Sequence, residues 1–228
     1  RVLRQIEKLG EIGWEEGRGI NRRPFSADYV RSREFVRDLM TGAGMETRVD
    51  TVGNLFGRYA GTVSGTKTIL SGSHLDAVPE WGKYDGPLGV LGALEAARYL
   101  HESGNRHPLE VVAFIAEEGG EMGGTFGSRC FAGSVDMGNL PPEKEMNFLG
   151  LSRRGILDSR GNPEDYEAYV ELHIEQGPVL EADRKHIGIP YAIAGITRYS
   201  VIVEGVANHA GTTPMERRSD AMKETAEL

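Results

Sequence analysis

Apolar and polar positions change rhythm several times along the chain, and each rhythm predicts an element. Ser26 or Asp28 caps a helix that runs to about Met40, with Val36 and Met40 on one face and Gly42 placed to end it. From Met45 to Tyr59 the period shortens to alternation, Val49, Val52, Leu55 and Phe56 being punctuated by Gly53-Asn54, which predicts a strand with a turn. Thr68 to Ser73 reads as a short strand ending in small residues just before His74. Leu88 to Leu100 returns to three-to-four spacing through Leu91, Leu94 and Ala97 or Arg98, a helix followed by Gly104. Leu109 to Ala116 is apolar apart from Glu110, as expected of a strand covered on both faces. Strand, helix, strand in that order predicts an α/β fold built on a βαβ unit.

Residues 136 to 167 are polar and carry Pro141-Pro142 and Gly161-Asn162-Pro163, so they read as connecting structure before a further strand, Ala168 to Leu172, that leads into His173. Arg198 to Glu204 sets Tyr199, Val201 and Val203 against polar neighbours, the pattern of a half-buried antiparallel strand, and a charged helix is expected after Pro214. This change of style places a domain boundary near Gly195, giving a first domain over residues 1–194 and a second that begins at 195 and runs to 228. At about 150 residues per domain, 228 residues make roughly one and a half domains.

Composition narrows the function classes. The net charge of −8 leaves no basic face for nucleic acid. Val111 to Ala116, the longest purely apolar run, is far short of the roughly 20 residues a membrane span needs. Cys130 is the single cysteine, so no internal disulfide forms; it reads as a small packing residue, and a cytoplasmic protein is expected. His101, His107 and His186 sit in polar contexts and are expected to face solvent. Trp81 follows His74 closely enough to line a pocket mouth, with packing as the alternative.

Three apolar segments deliver acid or imidazole groups at their C-terminal ends: Gly72-Ser73-His74-Leu75-Asp76, Phe114-Ile115-Ala116-Glu117-Glu118 and Val170-Glu171-Leu172-His173. In open α/β sheets ligands bind at those ends. Asp85 lies in the Gly- and Pro-rich loop leaving the first segment, so His74, Asp85, Glu118 and His173 offer two imidazoles and two carboxylates, a set suited to zinc or a similar first-row divalent ion rather than to calcium or magnesium. The strand before Glu117-Glu118 carries both acids to the mouth of the core with no Lys or Arg nearby in sequence, a conflict that a metal resolves. On an extended segment the two neighbouring glutamates are expected to point apart.

The stretches around these residues, together with Glu171-Leu172-His173-Ile174-Glu175-Gln176-Gly177-Pro178 and Asn208-His209-Ala210-Gly211-Thr212-Thr213-Pro214-Met215, resemble the hydantoinase/carbamoylase branch of the dinuclear zinc, M20-type peptidase family. That branch includes N-carbamoyl-L-amino-acid hydrolases, β-ureidopropionases and allantoate amidohydrolases, and the motifs run in order over residues 50 to 220. The resemblance implies a zinc-exopeptidase-like mixed sheet sandwiched by helices, with residue 195 onward starting an inserted α+β lid and dimerisation domain. It implies two divalent metal ions, zinc first and manganese as the alternative, with His74 on one, Asp85 bridging both, His173 completing the first and Glu118 on the second. Glu117 is then the general base, Asp76 holds the His74 ring in its tautomer, His209 polarises the substrate carbonyl from the lid and Gln176 touches substrate.

The activity so implied is release of ammonia from a linear ureido or N-carbamoyl compound by a homodimer paired through its lids, with a dipeptidase or aminoacylase of the same fold as the alternative. Where the family carries Ser-Arg-Phe after the glutamates, this chain has Gly120-Glu121-Met122. Family members also continue through the rest of the lid and back into the catalytic domain, where a last metal-binding histidine and a carboxylate-binding arginine arise. Those residues fall outside the 228, so the resemblance implies a catalytically incomplete site in these residues alone.

Overall fold

In the computed structural model, which describes residues 1–195, 197 and 199–226 and only the backbone at position 81, the chain divides into two compact units, Arg1–Gln176 and Gly177–Leu228. The first unit opens with helix α1 (Val2–Gly10), strands β1 (Trp14–Glu15) and β2 (Gly19–Arg22), and helix α2 (Ala27–Gly42). Ser26 caps α2 by accepting the N–H of Tyr29 at 3.1 Å. The hairpin β3 (Glu46–Val49) and β4 (Leu55–Tyr59) follows, then β5 (Thr68–His74), β6 (Ala77–Trp81), α3 (Pro87–Glu102) and β7 (Leu109–Phe114). Short helices α4 (Phe126–Ala132), α5 (Glu143–Phe148) and α6 (Arg153–Asp158) lead to β8 (Tyr166–Val170).

Five strands form a mixed sheet in the order β3-β4-β7-β5-β8, with β5 parallel to both β7 and β8 and the β4 pairings antiparallel; β1, β2 and β6 make a separate small sheet. Alternation along β7 explains the layers. Leu109, Val111 and Ala113 face a core shared with Ile6 and Leu9 of α1, Val36 and Met40 of α2, and Leu91 of α3, while Val112 and Phe114 pack on the opposite face with Phe56, Leu70 and Phe131. Glu110 tolerates this buried strand because Arg48 lies 3.2 Å away and the Tyr166 hydroxyl donates to it at 2.8 Å. The expected mixed α/β sheet flanked by helices is thus present.

Several expectations need correction. The charged start is helical, because Val2, Ile6 and Leu9 recur at helical spacing and bury one face. The polar stretch 136–167 is not merely connecting, since α5 and α6 form within it and bury Met146 and Ile156. The alternating segment 199–204 is not in a strand, and among the described residues of the second unit no strand is present for it to pair with; Arg198, where that strand was to begin, lies outside the described residues, as does the side chain of Trp81. That unit holds α7 (Val179–Ala182), a single 3₁₀ turn over Met215–Arg217 and α8 (Ala221–Ala226). Among the described residues no helix is long and apolar enough to cross a membrane.

Candidate metal centre

The parallel strands β5, β7 and β8 all deliver chemistry at the same end of the sheet. His74 is the last residue of β5, Glu117 and Glu118 follow β7, and His173 follows β8. Asp85 comes from the loop before α3, where Gly86 (φ 78°) makes a turn that only glycine fits, since a Cβ there would lie 2.6 Å from His74 Nδ1. Asp76, Asp85 and the His74 ring are buried.

Two groups of candidate ligand atoms share His74. His74, Asp85 and His173 can each place one ligand atom within 4.8 Å of the others, and so can His74, Glu117 and Glu118. His74 Nε2 lies 3.7 Å from Asp85 Oδ1 and 3.7 Å from Glu117 Oε2, and His173 Nε2 lies 3.2 Å from Asp85 Oδ1. The other nitrogen of each ring faces a main-chain carbonyl, Asp76 at 3.0 Å for His74 and Ile174 at 2.8 Å for His173. A carbonyl only accepts, so each ring when neutral carries its hydrogen on Nδ1, which leaves Nε2 toward the acids as the atom a metal would take in exchange for a proton.

The electrostatics are those of crowded acids at the edge of a core. Burial raises the Glu118 carboxyl to about 7, with His74 pulling the other way and Asp85 and Glu117 adding to the rise. Glu117 is raised for the same first reason. Burial opposes a charge on His74, but Asp85, Asp76 and Glu117 outweigh it and bring the imidazole to about 9. Glu118 Oε1 is buried without a hydrogen-bond partner, and among the described residues neither Glu117 nor Glu118 has a lysine or arginine within ion-pair distance. An orphaned carboxylate oxygen of Glu118 beside the His74 imidazole and the acids Asp85 and Glu117 fits a divalent metal centre.

All four proposed ligands therefore converge, together with Glu117. The glutamates do not point apart: β7 ends at Phe114 and Ala116 adopts a left-handed backbone (φ 55°), so the segment is bent and both carboxylates reach the His74 group. Asp76 meets the His74 ring through its main-chain oxygen, while its carboxylate, 3.8 Å from the ring, accepts the N–H groups of Glu117 at 3.2 Å and Glu118 at 3.0 Å. Gln176 donates from its side-chain amide to Asp85 Oδ2 at 2.7 Å. His209 lies in the second unit, where its Nδ1 accepts the N–H groups of Gly211 and Thr212 at 3.1 and 3.2 Å, leaving Nε2–H as the donor of the neutral ring. Cys130 is buried, and burial pushes its thiol up to about 12, as befits a packing residue. His101 is exposed but stacks on Tyr59 at 3.9 Å.

Two supporting residues carry no motif and escape sequence reading. Asn54 is fully buried and ties the hairpin to the exit of β7, donating to Asp50 Oδ2 at 2.8 Å and Gly127 O at 3.1 Å and accepting Ile115 N–H at 3.0 Å. Arg129 clasps the loop after the glutamates through Gly124 O and Met122 O, both at 3.0 Å.

Comparison with known proteins identifies the family. A model of peptidase family M20/M25/M40 matches residues 70–227. The N-carbamoyl-L-amino acid amidohydrolase of Geobacillus stearothermophilus is 38% identical over 244 residues, aligning 100% of this chain with 58% of its own. The ureidoglycolate hydrolase of Oryza sativa subsp. japonica is 40% identical over 243 residues, aligning 100% of this chain with 50% of its own. Among solved structures, a hydantoinase/carbamoylase family amidase from Burkholderia ambifaria superimposes with a TM-score of 0.75 at 34% identity, covering 100% of this chain and 57% of that one. The chain thus spans about half the length of the relatives it matches.

Proposed function

Since this chain belongs to peptidase family M20/M25/M40, in its hydantoinase/carbamoylase branch, we propose that it forms the metal-binding part of an amidohydrolase that cleaves a linear ureido or N-carbamoyl C–N bond and releases ammonia. The observation that carries this reading is the pair of ligand groups sharing His74 at the C-terminal end of the parallel strands. His74, Asp85 and His173 would hold one divalent ion, and Glu118 would help to hold a second; zinc suits this mixed nitrogen and oxygen set. Ions bound there would polarise the scissile carbonyl and bring the pKa of a water toward about 7.

The chain's own residues supply the rest. Glu117 takes the proton of the attacking water on a carboxylate oxygen and returns it to the leaving nitrogen, a task helped by a carboxyl that burial lifts above its ordinary range. Two nitrogens donate into a ureido carbonyl and make it a poor electrophile, so donors at the developing oxyanion matter. His209, its Nδ1 already engaged by Gly211 and Thr212, has an Nε2–H suited to that role. Gln176, whose amide donates to Asp85, would exchange that partner for a substrate group. Residues 195–228 begin the lid through which the whole protein would pair as a homodimer.

Ammonia release by the metal-loaded whole protein tests this reading, with N-carbamoyl amino acids, allantoate and ureidoglycolate assayed beside dipeptides and N-acyl amino acids. Turnover of the ureido panel, lost with chelator and lowered roughly 10²- to 10⁴-fold by Glu117→Gln, is expected. Turnover of dipeptides or N-acyl amino acids alone would favour the dipeptidase or aminoacylase reading, and activity indifferent to chelator would end both.

A further inference from the structure

Arg22, the last residue of β2, is the single lysine or arginine among the described residues that the fold buries, at 1% exposure. Its Nε donates to Leu75 O at 2.5 Å, and its Nη1 donates to Leu9 O and Ile12 O, both at 3.1 Å. Leu9 lies in the last turn of α1 and Ile12 just beyond it, so the planar guanidinium satisfies two carbonyls at a helix C-terminus and one at the end of β5. Burial lowers its pKa to about 10 while Asp76 raises it, which leaves it charged at neutral pH. A buried charge is costly where an apolar side chain of similar volume could fill the same space, so its presence calls for a reason beyond packing.

Where the guanidinium ends supplies that reason. Leu75 is the residue between His74 and Asp76, and its own side chain is fully buried. From that peptide the connections run in two directions: Asp76 O to the His74 ring, and the Asp76 carboxylate to the N–H groups of Glu117 and Glu118. One hydrogen bond from β2 thereby fixes the peptide from which a proposed ligand, a proposed base and a second proposed ligand all take their direction. We propose that Arg22 is a positioning residue of the metal centre, holding the His74-Leu75-Asp76 segment in the orientation that aims His74, Glu117 and Glu118 at one point. The inference rests on the reading of His74 and Glu118 as metal ligands.

The test compares the whole protein with its Arg22→Met and Arg22→Lys variants by zinc affinity, measured in competition with a chromophoric chelator, and by melting temperature without metal. Groups that orient a ligand from behind change affinity by about 10- to 100-fold when removed. The expected result is zinc binding weakened about 10- to 100-fold by methionine in protein that is still folded, with lysine, which keeps the charge but not the fork of donors, recovering only part of the loss. A methionine variant that melts earlier yet binds zinc as the parent does would make Arg22 a staple between α1 and the sheet and nothing more. Tighter zinc binding in that variant would mean that the arginine charge merely repels the ion. Should the methionine variant not fold, a folded lysine variant with parental zinc affinity overturns the proposal. If the parent whole protein itself binds no zinc, the metal reading fails and takes this inference with it, whereas parental binding left unchanged in both variants defeats the inference alone.

Discussion

At neutral pH His74, raised to about 9 by its acid neighbours, holds a proton that a metal must displace, and Glu118, raised by burial to about 7, holds one about half the time. Zinc coordinates the neutral imidazole and the ionised carboxylate, so binding releases protons and affinity depends on pH. The sign follows: zinc affinity rises as pH goes from 6 toward 9, more steeply below about 7, where both groups must be stripped, and it levels off above about 9. Zinc competition across that range, with calorimetry in buffers of different ionisation enthalpy to count the protons, checks it; an affinity that does not change with pH would contradict this account of the site. His74, Glu117, Glu118 and His173 were legible in sequence because each stands in a short motif at the end of a readable strand, and Asp85 because it stands in the Gly- and Pro-rich loop that leaves the first of them. Their supports were not. Asn54 and Arg22 act across 61 and 53 residues of chain, on Ile115 and Leu75, through a single amide and a single guanidinium that no local pattern marks.

At the scale of elements, the site depends on how closely β5 and β7 approach. Gly72 of β5 pairs with Val112 of β7, and a Cβ at Gly72 would stand 1.9 Å from Val112 O. Gly72→Ala should destabilise the chain by about 3 kcal/mol or more, whereas Ser71→Ala beside it should cost no more than about 1 kcal/mol. Urea unfolding of the two variants measures the contrast, and equal stabilities would show that the strand pair is not as tight as described. Elements with a clean period, α2, α3, β5 and β7, were readable within a few residues. Where the reading failed, the cause is physical: the charges between Val2, Ile6 and Leu9 hid the apolar stripe of α1. The alternation over 199–204 indicates a strand only if a partner strand exists, and the bend at Ala116 places a non-glycine residue in a conformation that composition does not signal.

For the whole molecule, an α/β sheet was foreseeable from the order of strand, helix and strand, its mixed character only from the family resemblance, and the convergence of three strand ends from the acid and imidazole groups that follow them. This chain corresponds to 57% of the solved amidase it resembles. What the 228 residues carry themselves is the claim that His74, Asp85, His173 and Glu118 form a metal centre. The most direct measurement is X-ray diffraction from crystals grown with zinc, recorded on both sides of the zinc absorption edge. An anomalous peak within coordination distance of His74 Nε2, Asp85 and His173 is the predicted result, and a zinc-replete crystal without a peak there, or with peaks only elsewhere, would contradict it.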